Sequence, residues 1–597
     1  MTSISKQFML DFIQLLKNRY LTLITYQVSD DTQVTIYQQR IEQLILAESF
    51  LKKGQLISTH SERALQVAVI GPTQVGKSSI VNLLLNNTIA GVSALAGYTV
   101  HPQGFLAGVS DQDHQWIEAH FGGFRRVEMK DLNAQDYNAY SLMPADKTPP
   151  TPLPDCLLWD LPDFDSIDAT GYREGVLTTV GLADVVVLVV SKEKYADQSV
   201  WEMMALLEPL NLPTIIIVNK LVADSQQVVL SSLTDKWRQA RKDAVPAIIP
   251  LNYQSSGRLE SWPQAEFEGA RRAFIEAVSQ RKPSEQSSFE KAYLNQHWKG
   301  WLAPIREEET ALKTWRQLLD HAVKEALAQY ERDYLEHPHH YDTFQNAMLE
   351  LLTLLEIPGL AKVLSKIRRI LTWPVRQVLR LGRFGKRNSD EADISQEINL
   401  LNQKAEHFLI KISEKIIDQI DDEPERAQWW KEMNAIMRSN RQAIMDGFGQ
   451  AVLVYHEEFQ GEVERIAQRL YRKLQEQPAV LNSLRATRLT TDSAAIALAI
   501  KTGGIGLQDL LITPLMLSVT SLLTESVLGG YIGRLEMELK QKQLATVKQQ
   551  LFLEAMKVPM AKFPEQMEQN KRFNVSLDRV EQAEQQLKEK KHGLRLF

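Results

Sequence analysis

Nine consecutive residues, Gly71-Pro72-Thr73-Gln74-Val75-Gly76-Lys77-Ser78-Ser79, follow the spacing G-x-x-x-x-G-K-S. Glycines at both ends of such a loop let the backbone curl until successive N–H groups point inward at phosphate oxygens. A lysine after the second glycine reaches the β- and γ-phosphates, and the next hydroxyl is placed to hold Mg²⁺. The geometry needs a strand before the loop and a helix after it, whose N-terminus adds a positive dipole end. Both flanks are present: residues 66–70 are an apolar run and residues 80–85 a helix-like one. Gly71, Gln74, Val75, Gly76, Lys77, Ser78 and Ser79 are therefore expected to line a nucleotide phosphate site, with Ser78 a metal ligand.

The other parts of such a site can be sought by spacing. A second Mg²⁺ ligand should end a later strand, and the run Leu157-Leu158-Trp159-Asp160 supplies Asp160, followed by Leu161-Pro162-Asp163. A base-reading Asn-Lys pair should end another. Asn219-Lys220 closes the apolar run 215–218, and Asn219 lies 59 residues after Asp160. A threonine that closes over the γ-phosphate and Mg²⁺ should lie between Ser78 and Asp160. Thr99, 21 residues after Ser78, is preferred to Thr88, which sits too near the first helix.

Together these residues resemble the P-loop GTPases, the class that includes Era-like and dynamin-like proteins, over residues 65–280. Gly71, Gly76, Lys77 and Ser78 match fully. Asp160 and Pro162 match the D-x-x-G motif in part, and Asn219 and Lys220 the N-K-x-D motif in part. Gln74-Val75 resembles the Asn-Val pair of the Era-like branch. The resemblance implies an α/β domain with a mostly parallel sheet and helices on both faces, Mg²⁺, GTP or GDP as ligand, and GTP hydrolysis.

Three positions depart from that pattern. Asp163 replaces the glycine whose backbone N–H meets the γ-phosphate; the N–H remains, but a carboxylate comes with it. Phe164 stands where small GTPases carry the glutamine that orients water, which leaves Gln74 and the Thr99 carbonyl as the candidate catalytic groups. Val222 stands where an aspartate would accept the guanine N–H hydrogens, and valine accepts nothing; Asp224 follows two positions later. The sequence thus leaves guanine against adenine open. Hydrolysis is expected to be slow until self-association or a partner completes the site.

The elements that must position these groups can be read from periodicity. At 597 residues the chain is too long for one core. Residues 1–60 read as two amphipathic helices, with Phe8, Phe12, Leu15 and Leu16 on one face and Tyr37, Ile41, Leu44 and Ile45 on the other. They are expected to pack with the helical part of the chain. Residues 61–282 alternate strands with helices, as a parallel sheet requires. The stretch 147–154 holds four prolines and should be extended. Residues 283–480 read as an all-α stalk or bundle, 481–535 as an apolar tip or hairpin, and 536–597 as returning helices.

Composition sets further limits. A net charge of −6 implies no global attraction to nucleic acid or anionic membrane, so any such binding needs a local patch. The single cysteine, Cys156, rules out an intrachain disulfide and reads as a core residue. Asp11 and Lys17 interrupt what could be a signal-peptide core, so the chain is expected in the cytoplasm, peripheral on the inner face of a membrane.

Two stretches are candidates for membrane contact. Residues 362–387 hold nine Lys/Arg and no Asp/Glu, within the basic amphipathic segment 360–388. Arg368, Arg369, Trp373, Arg376 and Arg380 would meet an anionic surface, and a solvated stalk face is the plain alternative. Residues 494–533 hold only three charged side chains, and suit either a leaflet-dipping hairpin or a buried one. The layout of helices, switch domain, stalk and apolar tip resembles dynamin-like proteins. An Era-like switch docking on a protein or ribonucleoprotein, and a slow NTP-binding scaffold, are the other readings.

Overall fold

The computed structural model describes residues 3–588 apart from 352–395, 491–520 and the short stretches 27–30, 60–62, 92–98, 110–113, 134, 146–150, 166–168, 253–261, 263, 338–342, 345–346, 349, 423–426, 522, 569 and 571. The chain divides into two compact units, Met1–Ile305 with Gln569–Phe597, and Arg306–Glu568.

Helices α1 (Ser3–Tyr26) and α2 (Asp31–Thr59) open the first unit. Next come β1 (Leu65–Ile70), α3 (Lys77–Leu85), β2 (Gln103–Ala107), α4 (His114–His120), β3 (Arg125–Arg126), β4 (Ala139–Ala145), β5 (Cys156–Asp160) and α5 (Ala169–Leu182). They lead to β6 (Val185–Ser191), α6 (Gln198–Leu207), β7 (Thr214–Leu221), α7 (Gln226–Ala240), β8 (Ala247–Asn252) and α8 (Gln264–Ser279). Helix α9 (Gln286–Tyr330) starts in this unit.

The strands form one eight-stranded sheet in the order β3-β4-β2-β5-β1-β6-β7-β8. From β5 to β8 the strands are parallel, whereas β2 runs antiparallel to β5, and β4 and β3 keep the direction of β2. The central strands read as unbroken apolar runs because helices cover both faces. In β6 all seven residues are buried. Alternation then divides them between two cores. Ala68, Ile70, Trp159, Leu188 and Val218 face one side, and Val67, Val69, Leu158, Val187 and Ile217 the other. The second side is closed by α3 and α8 through Val81, Leu84, Ala270 and Phe274. Cys156 lies buried there, as its apolar surroundings implied.

Strands β2, β3 and β4 were not legible in the sequence. The stretch QGFLA of β2 holds Gly104, and AYSLMPA of β4 holds Pro144, both poor strand signals. Gly104 is required by packing: a Cβ there would stand 2.6 Å from the Leu142 side chain and 3.0 Å from the Trp159 ring.

The N-terminal pair differs from its expected grouping. Phe12, Leu16, Leu44 and Ile45 share a core with Val176 and Val180 of α5, so α1 and α2 belong to the sheet unit. The same core takes in Tyr293, Trp298 and Trp301 from the start of α9 and Val580, Ala583 and Leu587 near the C-terminus. The units therefore part at residues 305/306 and 568/569 and not near residue 282.

Among its described residues the second unit contains helices and turns but no strand. The remainder of α9 is joined by α10 (Gln396–Asp422), α11 (Ala427–Gln475), α12 (Pro478–Thr490) and α13 (Gly529–Thr546). Helix α13 continues through a π-helical stretch, Val547–Lys557, into Val558–Ala561. Trp315, Leu319, Leu401, Phe408, Trp430, Phe448 and Phe552 form its core, on the 3.6-residue period seen in the sequence. The chain then returns to the first unit as α14 (Leu577–Lys588). No helix among the described residues is long and apolar enough to cross a membrane. Residues 362–387, with Arg368, Arg369, Trp373, Arg376 and Arg380, lie outside the described residues, as does most of 494–533.

Candidate phosphate-binding site

The sheet register brings the predicted residues to one edge. Val69 pairs with Asp160, Ile70 with Leu188 and Ser191 with Asn219, so the loops after β1, β5, β6 and β7 open on the carboxyl side of the parallel strands. Open α/β sheets bind ligands at that edge. Two glycines shape the 71–76 loop. Gly76 has φ +87°, and a Cβ at Gly71 would lie 2.3 Å from the Val189 carbonyl oxygen. The α3 N-terminus follows at Lys77.

Ser78 and Asp160 meet as their spacing predicted. The Ser78 hydroxyl donates to Asp160 Oδ2 at 2.6 Å. The other carboxylate oxygen, Oδ1, is buried and has no hydrogen-bond partner among the described residues. Burial pushes the Asp160 carboxyl up to about 6; the Ser78 hydrogen bond and the Lys77 charge oppose that, and the Asp163 charge adds to it. Two hard oxygens side by side, one without a partner, fit a small divalent cation such as Mg²⁺.

Lys77 is buried, and its ammonium pairs with the Asp163 carboxylate. The second Asp163 oxygen, Oδ2, accepts from Thr73 Oγ1 at 2.5 Å. Asp165 Oδ1 accepts from the Thr73 backbone N–H, also at 2.5 Å, and Asp165 Oδ2 lies 3.3 Å from Lys194 Nζ. Between the two aspartates Phe164 is buried in the core, where it can orient no water. Its carbonyl accepts from Arg173 Nη1 at 2.8 Å, and Arg173 Nε donates to Glu42 of α2 at 2.9 Å. The segment 163–165 is thus tied both to the phosphate loop and to the N-terminal helices.

The Asn219 side chain donates to the Val75 carbonyl at 2.9 Å, and so braces the phosphate loop. Lys220, at φ +60°, donates to the Gln74 carbonyl at 2.7 Å. Val75 is buried, Ser79 half-buried and the Gln74 side chain exposed. Val222 is 52% exposed, next to the Asn-Lys pair. Thr99 is half-buried, four residues before Gln103, which stands opposite Asp160 in the β2–β5 register; no hydrogen bond joins Thr99 to Ser78 or Asp160 among the described residues. Sequence reasoning missed Thr73, Asp165, Lys194 and Arg173. Thr73 sits at a variable position of the loop. Asp165, two residues after Asp163, was the one available signal.

Comparison with known proteins agrees with this geometry. Residues 66–220 match the family described as 50S ribosome-binding GTPase, a match that ends two residues before Val222. No curated protein matches the chain significantly. Among solved structures, two chains of an oligomerised bacterial dynamin pair, described as providing a mechanism for long-range sensing and tethering of membranes, are similar to this one. The first has 13% identity and a TM-score of 0.36, over 97% of this chain and 98% of that one. The second has 13% identity and a TM-score of 0.35, over 96% of each. With its phosphate loop, its Ser78–Asp160 pair and this family match in register, the stretch 66–220 is a P-loop GTPase domain.

Proposed function

We propose that the chain binds GTP and GDP with Mg²⁺ through residues 71–79, hydrolyses GTP slowly, and couples the nucleotide state to membrane association through its helical part. The Ser78–Asp160 contact, with the orphaned Asp160 Oδ1 beside it, carries the nucleotide half of this reading. In this reading Ser78 and Asp160 hold Mg²⁺, directly or through its waters, and the ion when bound neutralises charge developing on the phosphates. In the same reading the backbone N–H groups of residues 73–76 and the α3 N-terminus would hold phosphate oxygens, and Lys77 supplies the fixed positive charge. Asn219 and Lys220 keep the loop in its curled form and stand where the base would lie.

Slow turnover follows from Phe164. A buried aromatic takes the place of a water-positioning amide, so the in-line water must be oriented by Gln74, by the Thr99 carbonyl or by a second copy of the chain. The layout of the sheet unit and the all-α unit, with the basic segment 362–387, supports a dynamin-like role. The family description favours a second reading, an Era-like switch docking on a ribonucleoprotein.

Equilibrium titration of the full chain with GDP and ADP, with and without Mg²⁺, tests the core of this reading. GDP should bind more tightly than ADP, and Lys77→Ala and Ser78→Ala should each weaken binding at least about tenfold, the worth of one charge-assisted contact. Binding untouched by Lys77→Ala would remove the site.

A further inference from the structure

We propose that Asp163 is a built-in surrogate for a nucleotide phosphate, so that loading the site is an exchange of carboxylate for phosphate at Lys77 and Thr73. This rests on the nucleotide reading of the 71–79 loop. The observation is the contact set itself. Lys77 is the one side chain of the loop with a fixed positive charge, and its ammonium is engaged by Asp163. The other oxygen of the same carboxylate takes the Thr73 hydroxyl. Asp165 takes the Thr73 backbone N–H, a donor of the kind that a phosphate oxygen would use. Two acidic side chains from the segment after β5 therefore satisfy three donors of the phosphate loop.

The geometry is that of anion recognition with an internal anion. An ammonium and a hydroxyl converge on one carboxylate, as they would on a phosphate. The pair is sheltered: the Lys77 side chain is 5% exposed and that of Asp163 15%. A glycine at position 163 would offer no such anion. An incoming phosphate must displace the carboxylate, and afterwards it shares a small space with it. The γ-phosphate of a triphosphate adds the most negative charge near Lys77, so Asp163 should oppose a triphosphate more than a diphosphate. Position 163 then sets both affinity and the preference between the two ligand states. The displaced segment is the one whose Phe164 carbonyl is held by Arg173, which is paired in turn to Glu42. Exchange at the loop thereby reaches α2.

The test is a fluorescence titration of the full-length chain with N-methylanthraniloyl GDP and GTP in Mg²⁺, for the wild type, Asp163→Asn, Asp163→Ala and Lys77→Ala. Asparagine keeps a hydrogen-bonding shape without charge, and alanine removes both, so agreement between them excludes a packing artefact. Both Asp163 variants should bind at least about tenfold more tightly than the wild type, with the larger gain for GTP. An unchanged or higher Kd in both variants overturns the proposal, and a higher one would make Asp163 part of the metal or nucleotide shell. Lys77→Ala separates the two levels. If it leaves binding intact, the loop is not the nucleotide site, whatever Asp163 does. If it abolishes binding while the Asp163 variants behave as wild type, only the surrogate fails.

Discussion

His120 closes α4 inside the core that joins the N-terminal helices to the sheet. The Ser49 hydroxyl donates to the Thr178 carbonyl at 2.6 Å, so its oxygen must accept from His120 Nε2, 3.0 Å away. The ring is then neutral, with a bare, buried Nδ1 that has no partner among the described residues. Burial, helped by the nearby Lys52 and Lys53 charges and opposed by the Thr178 carbonyl and Glu48, pulls His120 down to about 3. A histidine of lowered pKa leaves the unfolded chain binding a proton that the native one refuses. Its stabilisation is complete above about pH 6.5 and is lost as the pH falls toward 3. At pH 5 the loss should be about 2 kcal/mol. Glu48 adds almost nothing between about pH 7.5 and 5. Burial alone would raise it, but Lys17 and Lys52 hold it at about 2, so its contribution is lost only as the pH falls from about 4.5 toward 2. Asp160, pushed up to about 6, acts in the opposite sense between about pH 4 and 6 in metal-free protein. The measurement is therefore a difference: urea unfolding of the wild type and His120→Gln in EDTA at pH 7.5 and 5. The wild type should lose about 2 kcal/mol more than the variant, and parallel losses would show that His120 does not carry the effect. At this scale the sequence was informative where chemistry needs a fixed spacing, as for Lys77, Ser78 and Asp160. It was silent on His120, Thr73 and Arg173, whose roles arise from residues far apart in the chain.

Four helical segments of the second unit converge on one buried carboxylate. Glu397, at the start of α10, accepts from Tyr330 of α9 at 2.7 Å, from Tyr455 of α11 at 2.8 Å and from Gln543 of α13 at 2.8 Å. Tyr334, in the π-helical stretch Glu331–Leu335 after α9, lies 3.4 Å from its second oxygen. Tyr330, Tyr334, Tyr455 and Gln543 are all neutral partners for this carboxylate. Burial and the Glu397 charge hold the Tyr330 and Tyr455 hydroxyls well above their ordinary range, so both remain donors. Deleting the shared acceptor would strand several buried donors at once. Glu397→Ala should cost about 3 kcal/mol or more, whereas Glu397→Gln, which keeps one acceptor oxygen, should cost about half as much. Urea unfolding of the two variants reads this directly, and an alanine variant within about 0.5 kcal/mol of wild type would mean that the network adds nothing. The helices themselves were legible, because Trp315, Leu319, Ile398, Leu401 and Ala405 repeat at helical spacing and all are buried. The polar cage was not, since no local pattern marks a glutamate whose partners lie 58 to 146 residues away. The same holds for β2 and β4. Their pairing with β5 and each other is long-range, and the local signal is masked by Gly104 and Pro144.

For the molecule as a whole, the distribution of charge decides what surface it can approach. The chain carries −6, yet residues 362–387 carry nine positive charges and no negative ones, which leaves −15 for the rest. A membrane of anionic lipid would repel most of the protein and attract this one segment, so binding should depend steeply on the segment and on salt. Each Lys or Arg near such a surface contributes about 1 kcal/mol. Replacing Arg368, Arg369, Arg376 and Arg380 together by glutamine should weaken sedimentation with anionic vesicles by at least about a hundredfold, and leave the weak binding to neutral vesicles unchanged. Trp373→Ala should act on both kinds of vesicle alike, because an interfacial aromatic responds to the headgroup boundary and not to lipid charge. Raising the salt from 0.05 to 0.5 M should reproduce much of the arginine effect in the wild type. The membrane reading requires this pattern both with GDP and with a non-hydrolysable GTP analogue, with the affinity differing between the two. Protein that stays in the supernatant with anionic vesicles in both states would remove membrane coupling from the function, and leave docking on a ribonucleoprotein as the role of the helical unit.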